Sequence, residues 1–126
     1  MAAVTVDTSC LIRFFTKDDQ QKAQQVKQLL NSTQSIYIPE VVFPELEYVL
    51  CAHYQVTRLE LQETFRFLLS LTNLKVNPQV ITAIDIFEKT KLDMADCLIT
   101  AYSESGKLAS FDDQLIKVNK NGYWDK

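Results

Sequence analysis

Short β-branched runs alternate with stretches of helical periodicity along the whole chain, and this alternation restricts the fold more than any other feature. Ala2–Val6, Ser35–Ile38, Leu74–Val76 and Lys107–Phe111 each read as a brief strand, with a last one expected near Tyr123-Trp124. Between them lie helices with recognisable ends. Thr8-Ser9 can cap a helix that begins near Cys10 and runs through Phe15. Asp18 and Asp19 open a second over Gln20–Asn31, with Ala23, Val26, Leu29 and Leu30 at helical spacing. After Pro39 comes a helix carrying Val42, Leu46, Val49 and Leu50, in which Pro44 implies an irregular first turn or a kink. Thr57-Arg58-Leu59-Glu60 is a capping box ahead of Leu61, Phe65, Leu68 and Leu69. Pro78 starts a helix with Val80, Ile81, Ile84 and Phe87 inward, and Asp93 caps another that stops at Gly106. A short amphipathic stretch spans Gln114 to Val118. Strands alternating with helices, without repeats or linkers, predict one α/β domain over residues 1–126, its mainly parallel central sheet flanked by helices.

Composition removes several kinds of chemistry. Two glycines are too few for a phosphate-cradling loop, and one histidine is too few for a two-histidine metalloprotease motif or a His-rich zinc site. Cys10, Cys51 and Cys97 are odd in number and scattered, so buried inert thiols in a reducing cytoplasm are expected. No leader pattern is present, and no apolar run approaches the ~20 residues of a membrane span. A cytoplasmic protein without a membrane partner is therefore expected.

The acids carry the chemical information. Asp7 follows Ala3-Val4-Thr5-Val6, and Asp112 follows Leu108-Ala109-Ser110-Phe111, so both fall at carboxyl ends of expected strands. Ligands of open α/β sheets bind at that edge, near the switch point of strand order. Each aspartate also has an ordinary use, leaving a strand or capping the next helix. Asp93 and Asp96 stand at i and i+3 on the first turn of a helix, where Asp93 has the role of N-cap. Met94, Ala95, Cys97, Leu98 and Ile99 surround Asp96 with apolar side chains, which places its carboxylate in a partly buried cleft with no cation in helical reach. On a helical wheel Glu45 and Glu47 each lie roughly 100° from the apolar stripe, on opposite sides, and periodicity does not choose between them.

Carboxylates converging without His or Cys make a hard-oxygen site suited to Mg2+ or Mn2+. The chemistry that fits is metal-assisted hydrolysis of a phosphodiester, the metal generating hydroxide and stabilising the leaving oxygen.

Val6-Asp7-Thr8-Ser9, Pro44-Glu45-Leu46, Leu92-Asp93-Met94-Ala95-Asp96-Cys97-Leu98-Ile99 and Ser110-Phe111-Asp112 together resemble the PIN-domain family, and within it the VapC-type toxins of bacterial toxin–antitoxin pairs. The resemblance runs through essentially the whole chain. It implies a Mg2+- or Mn2+-dependent endoribonuclease that acts on RNA, pairs as a homodimer and is blocked by a cognate antitoxin. By position, Asp7, Glu45, Asp96 and Asp112 match the family's acidic quartet and Asp93 an additional acid, which decides for Glu45 over Glu47. Thr8 or Ser9, and Ser110, match small polar residues that orient the acids or a metal-bound water. Pro44 directly before the glutamate departs from the family pattern. Asp113 stands beside Asp112, and strand phase favours Asp112.

Arg13, Lys17, Lys89, Lys91, Lys117 and Lys120 lie near the same motifs and could meet RNA phosphates, although solvated surface charge is their ordinary role. The phenylalanines, Phe111 included, are expected in the core or on a dimer surface rather than as base-stacking platforms. Two other readings compete. An aspartate-based phosphotransfer enzyme would want a further acid directly after the first strand, where Thr8-Ser9 stand; a non-catalytic PIN-like module would be expected to have lost its acids, and this chain keeps them. The formal charge of −3 does not speak against RNA: of 16 acids, five belong to the site, leaving 11 against 13 basic residues.

Overall fold

Parallel strands cannot be joined by a hairpin and need a crossover, which is why each strand here is followed by helices. The computed structural model describes residues 3–124. Strands β1 (Val4–Thr5), β2 (Ile36–Tyr37) and β3 (Leu74–Lys75) form a parallel sheet in the order β1-β2-β3. Val4 pairs with Ile36 and Thr5 with Tyr37; Ile36 pairs with Leu74 and Tyr37 with Lys75. Further bonds from Val6 N to the Tyr37 carbonyl (2.9 Å) and from Ile38 N to the Lys75 carbonyl (3.2 Å) prolong each pairing. The strands are shorter than expected, and Ala2 lies outside the described residues. Because the strand order follows the sequence, this sheet contains no reversal of strand order, and β1 is one of its edges.

The chain divides into two compact units between Asn77 and Pro78. The first holds the sheet with α1 (Thr8–Thr16), α2 (Gln20–Leu30), α3 (Val42–Tyr54) and α4 (Arg58–Leu69). Helix α1 packs on α2 and α3. Its core gathers Leu11, Ile36, Ile38, Phe43, Leu46, Leu50, Leu61, Phe65 and Leu68, all essentially inaccessible to water. The Phe43 and Phe65 rings lie 5.8 Å apart. Pro44 does not kink α3: it falls in the first turn, where a backbone N–H has no helical acceptor. That turn is irregular, as expected, with Val42 and Phe43 donating to the carbonyls of Pro39 and Glu40.

The capping box at α4 is complete. The Thr57 hydroxyl accepts from Glu60 N (3.2 Å), while the Thr57 N–H donates to Glu60 Oε1 (2.9 Å). These bonds to Thr57, the backbone one foremost, hold the Glu60 carboxyl below its usual range. A lowered carboxylate contributes stability that is present above the unfolded value, around 4.3, and is lost as pH falls through the folded one. Glu60→Ala is therefore expected to lower the melting temperature at neutral pH, and thermal scans in strong acid should show the deficit closing.

The second unit holds α5 (Pro78–Lys89), α6 (Met94–Ser103) and α7 (Asp113–Asn119), with α6 packed on both others. Val80, Ala83, Ile84, Ile86 and Phe87 are buried on α5, whereas Ile81 is half exposed. Ile81 sits about 100° around the helix from Val80, on the far side from Ala83. The expected strand over 107–111 is reduced to one parallel bridge, Leu108 to Gly122. Of that run only Leu108 is buried, so it has no continuous apolar face to bury against a neighbour. Near Tyr123 no strand forms among the described residues, but the Tyr123 N–H donates to the Leu108 carbonyl at 2.7 Å. Asn119 ties α7 to α6, donating to Thr100 Oγ1 (3.0 Å) and accepting from the Ser103 hydroxyl (2.7 Å).

Three helices end on a left-handed residue that is not glycine: Lys17 (φ 57°), Gln55 (φ 52°) and Lys120 (φ 64°). Among the described residues, no helix is long and apolar enough to cross a membrane. The three cysteines are free, and they are not uniformly buried. Cys97 is buried, Cys10 partly so, and Cys51 exposed.

Candidate active site

The carboxyl end of β1 runs directly into α1, and Asp7 occupies the junction. Asp7, not Thr8 or Ser9, is the N-cap: its backbone is extended and its carboxylate accepts from Ser9 N (3.3 Å). The expected cap lies one residue too late because Thr8 already has helical geometry. The Ser9 hydroxyl also donates to Asp7 Oδ2, at 2.6 Å. These bonds, the hydroxyl's foremost, lower the Asp7 carboxyl from its usual value. Asp7 is thus held as an exposed carboxylate with one oxygen committed to Ser9.

Glu45 reaches the same place from the first turn of α3. The Thr8 hydroxyl donates to Glu45 Oε1 across 37 positions of sequence. Asp7, Thr8, Ser9, Arg13, Glu45 and Tyr54, together with Ile12, Pro44, Tyr48 and Val49, line a cavity of about 730 Å3. Glu47 does not line the cavity; partial burial of the Cys51 sulfur, and then the Glu47 charge, raise that thiol. Arg13 is not loose in the cavity. It bonds Asp18 at 2.9 Å, and Asp18 also accepts from the Tyr54 hydroxyl at 2.8 Å. Sequence inspection does not reveal this Arg13–Asp18–Tyr54 chain, because Tyr54 lies 36 residues from Asp18.

In the second unit three acids act on one another. Asp93 is the N-cap of α6, accepting from Asp96 N at 2.9 Å. Asp112 is the N-cap of α7, accepting from Leu115 N at 3.0 Å. Ser110 does not touch that carboxylate. Its hydroxyl accepts from the Asp112 N–H (3.0 Å) and so fixes the backbone. Asp96, half-buried in the first turn of α6, has its carboxyl raised by burial first, then by the charges of Asp93 and Asp112. Asp113 is the first residue of α7.

All five acids offer hard oxygen donors, and the mutual repulsion of Asp93, Asp96 and Asp112 is the kind a divalent cation relieves. Among the described residues no three His, Cys, Asp or Glu side chains already form a chelating group. Asp93 and Asp112 each also commit one oxygen to a helix N-terminus. Carboxylate oxygens are the donors that hard divalent cations prefer.

Other candidates divide. Lys89 pairs with Asp85 on its own helix at 3.0 Å, and Lys17 forms the left-handed end of α1. Phe43, Phe65 and Phe87 are buried as expected, but Phe111 is 87% exposed and so does not belong to the core.

Asp7, Asp93 and Asp112 stand at helix N-termini, and the Ser9 and Thr8 hydroxyls bond Asp7 and Glu45. The chain belongs to the PIN domain family, whose model matches residues 4–121. No curated protein and no solved structure matched the chain. Members of this family are generally nucleases that bind RNA and typically use divalent metals.

Proposed function

We propose that the protein is a Mg2+- or Mn2+-dependent endoribonuclease, and that residues 1–126 act as one PIN domain. The observation that carries this reading is the half-buried Asp96 carboxyl in the first turn of α6, raised by its burial and by the charges of Asp93 and Asp112. Asp7, Asp96 and Asp112 would hold the metal directly or through water, with Glu45 and Asp93 completing the site. A divalent cation there would lower the pKa of a water nucleophile and stabilise the leaving 3′-oxygen.

The chain's own residues do the positioning. Ser9 keeps Asp7 ionised and aimed, and Thr8 holds Glu45. Arg13, fixed by Asp18, gives the cavity wall a positive group for a phosphate. The motif resemblance supports the finer reading of a VapC-type toxin in the cytoplasm, with an antitoxin and a second copy as its protein partners.

The deciding experiment is RNA cleavage by purified protein with added Mn2+ or Mg2+ and then with EDTA. Cleavage that starts with metal and stops on chelation is expected. Cleavage that survives EDTA, or none with either metal, overturns the assignment.

A further inference from the structure

We propose that Phe111 and Trp124 form a stacking platform for an unpaired nucleobase of the RNA. The two rings are stacked 4.8 Å apart and only 10° from parallel. Tyr123 meets Trp124 edge-on at 5.5 Å. All three are open to solvent: Phe111 87%, Tyr123 64% and Trp124 56% exposed. Contiguous exposed aromatic surface is a common mark of a binding site.

Its position is fixed before any ligand arrives. The Leu108–Gly122 bridge and the bond from Tyr123 N to the Leu108 carbonyl hold the two chain segments together. Little ordering cost then remains for binding. Phe111 is also the residue directly before Asp112, which places the platform next in sequence to one of the proposed site acids.

Charge decides what kind of partner fits. Lys107, Lys117 and Lys120 flank the aromatic residues in sequence, and among the described residues none of the three is paired with an acid. Lysines beside open rings suit a polyanion with flat bases, since the rings take any base and the lysines take the phosphates. Two copies of this chain meeting here would instead bring like charges together. A base inside a duplex already has both faces covered, so the platform selects RNA that is single-stranded at this point.

The inference rests on the ribonuclease reading, and its test separates the two. Trp124 is the chain's sole tryptophan, so its emission reports on the platform alone. The metal-free protein in EDTA is titrated with a short single-stranded oligouridylate, and with an abasic ribose-phosphate oligomer of equal length. Saturable quenching by the first and not the second is expected. Phe111→Leu, at a side chain too exposed to matter for folding, should weaken oligouridylate binding about tenfold and raise KM for cleavage more than it lowers kcat.

Unchanged emission, equal quenching by the abasic oligomer, or an emission that shifts with protein concentration alone would each overturn the platform. The last outcome would mean that a second copy covers it. Quenching without metal-dependent cleavage would keep the platform and remove the nuclease reading. Cleavage without quenching would do the reverse.

Discussion

Replacing Asp96 by asparagine is expected to abolish RNA cleavage while raising the melting temperature of the metal-free protein. Its carboxyl is raised by burial and by the charges of Asp93 and Asp112. At neutral pH the ionised folded state therefore carries a cost that the unfolded chain does not, and the neutral amide removes it. Activity moves the other way. Loss of a direct ligand should exceed the roughly 10–100-fold that removal of a ligand's outer partner costs. Added Mg2+ should raise the melting temperature of the unaltered protein and leave the variant largely unmoved, because binding stabilises only a state that binds. Asp7→Asn should match it in lost cleavage without the gain in stability, since Asp7 is exposed and its cap passes to the amide. Full cleavage by either variant would remove that residue from the site. A metal-free Asp96→Asn protein that melts lower would show that the carboxylate is favourably held.

Phe43→Ala is expected to cost about 3–5 kcal/mol, a large share of the roughly 5–15 kcal/mol that holds a typical domain folded. Phe43 is wholly buried, its ring is 5.8 Å from that of Phe65, and Leu46 and Leu50 continue the same buried stripe of α3. Removing it opens a hole between helices that cannot fully close. Urea titration should show the midpoint falling at constant slope, with Phe43→Leu losing less. The effect reaches the chemistry because Phe43 stands two residues before Glu45 and anchors the turn that presents it. A loss near 1 kcal/mol would mean that the surrounding side chains collapse into the space.

Much of this was readable from local signals. The Thr57–Glu60 box, the Asp19 cap and the Ala23–Val26–Leu30 stripe are decided within a few residues, and the structure follows them. Features that depend on distant partners were not. The 107–111 run has the composition of a strand, yet whether a run becomes one depends on having a neighbour to pair with. Ile81 shows the same limit on a finer scale, being as apolar as Ile84 but one step outside the buried arc. At the site, the acids stand out by their place after apolar runs. Nothing local shows that Thr8 holds Glu45, that Tyr54 secures Asp18, or that Phe111 faces water.

Asp7, Asp93 and Asp112 each begin a helix as well as being proposed metal-holding acids. This double duty restricts how such a chain can change over generations. Exchange of any of the three for alanine would leave a helix start uncapped, typically a loss of about 1 kcal/mol, in addition to silencing the chemistry. Asparagine, and to a lesser degree serine, keeps the cap and discards only the charge. A descendant that abandoned cleavage yet kept its shape should therefore carry Asn or Ser at these positions. Alanine there would point to a gene in decay rather than to a retained scaffold.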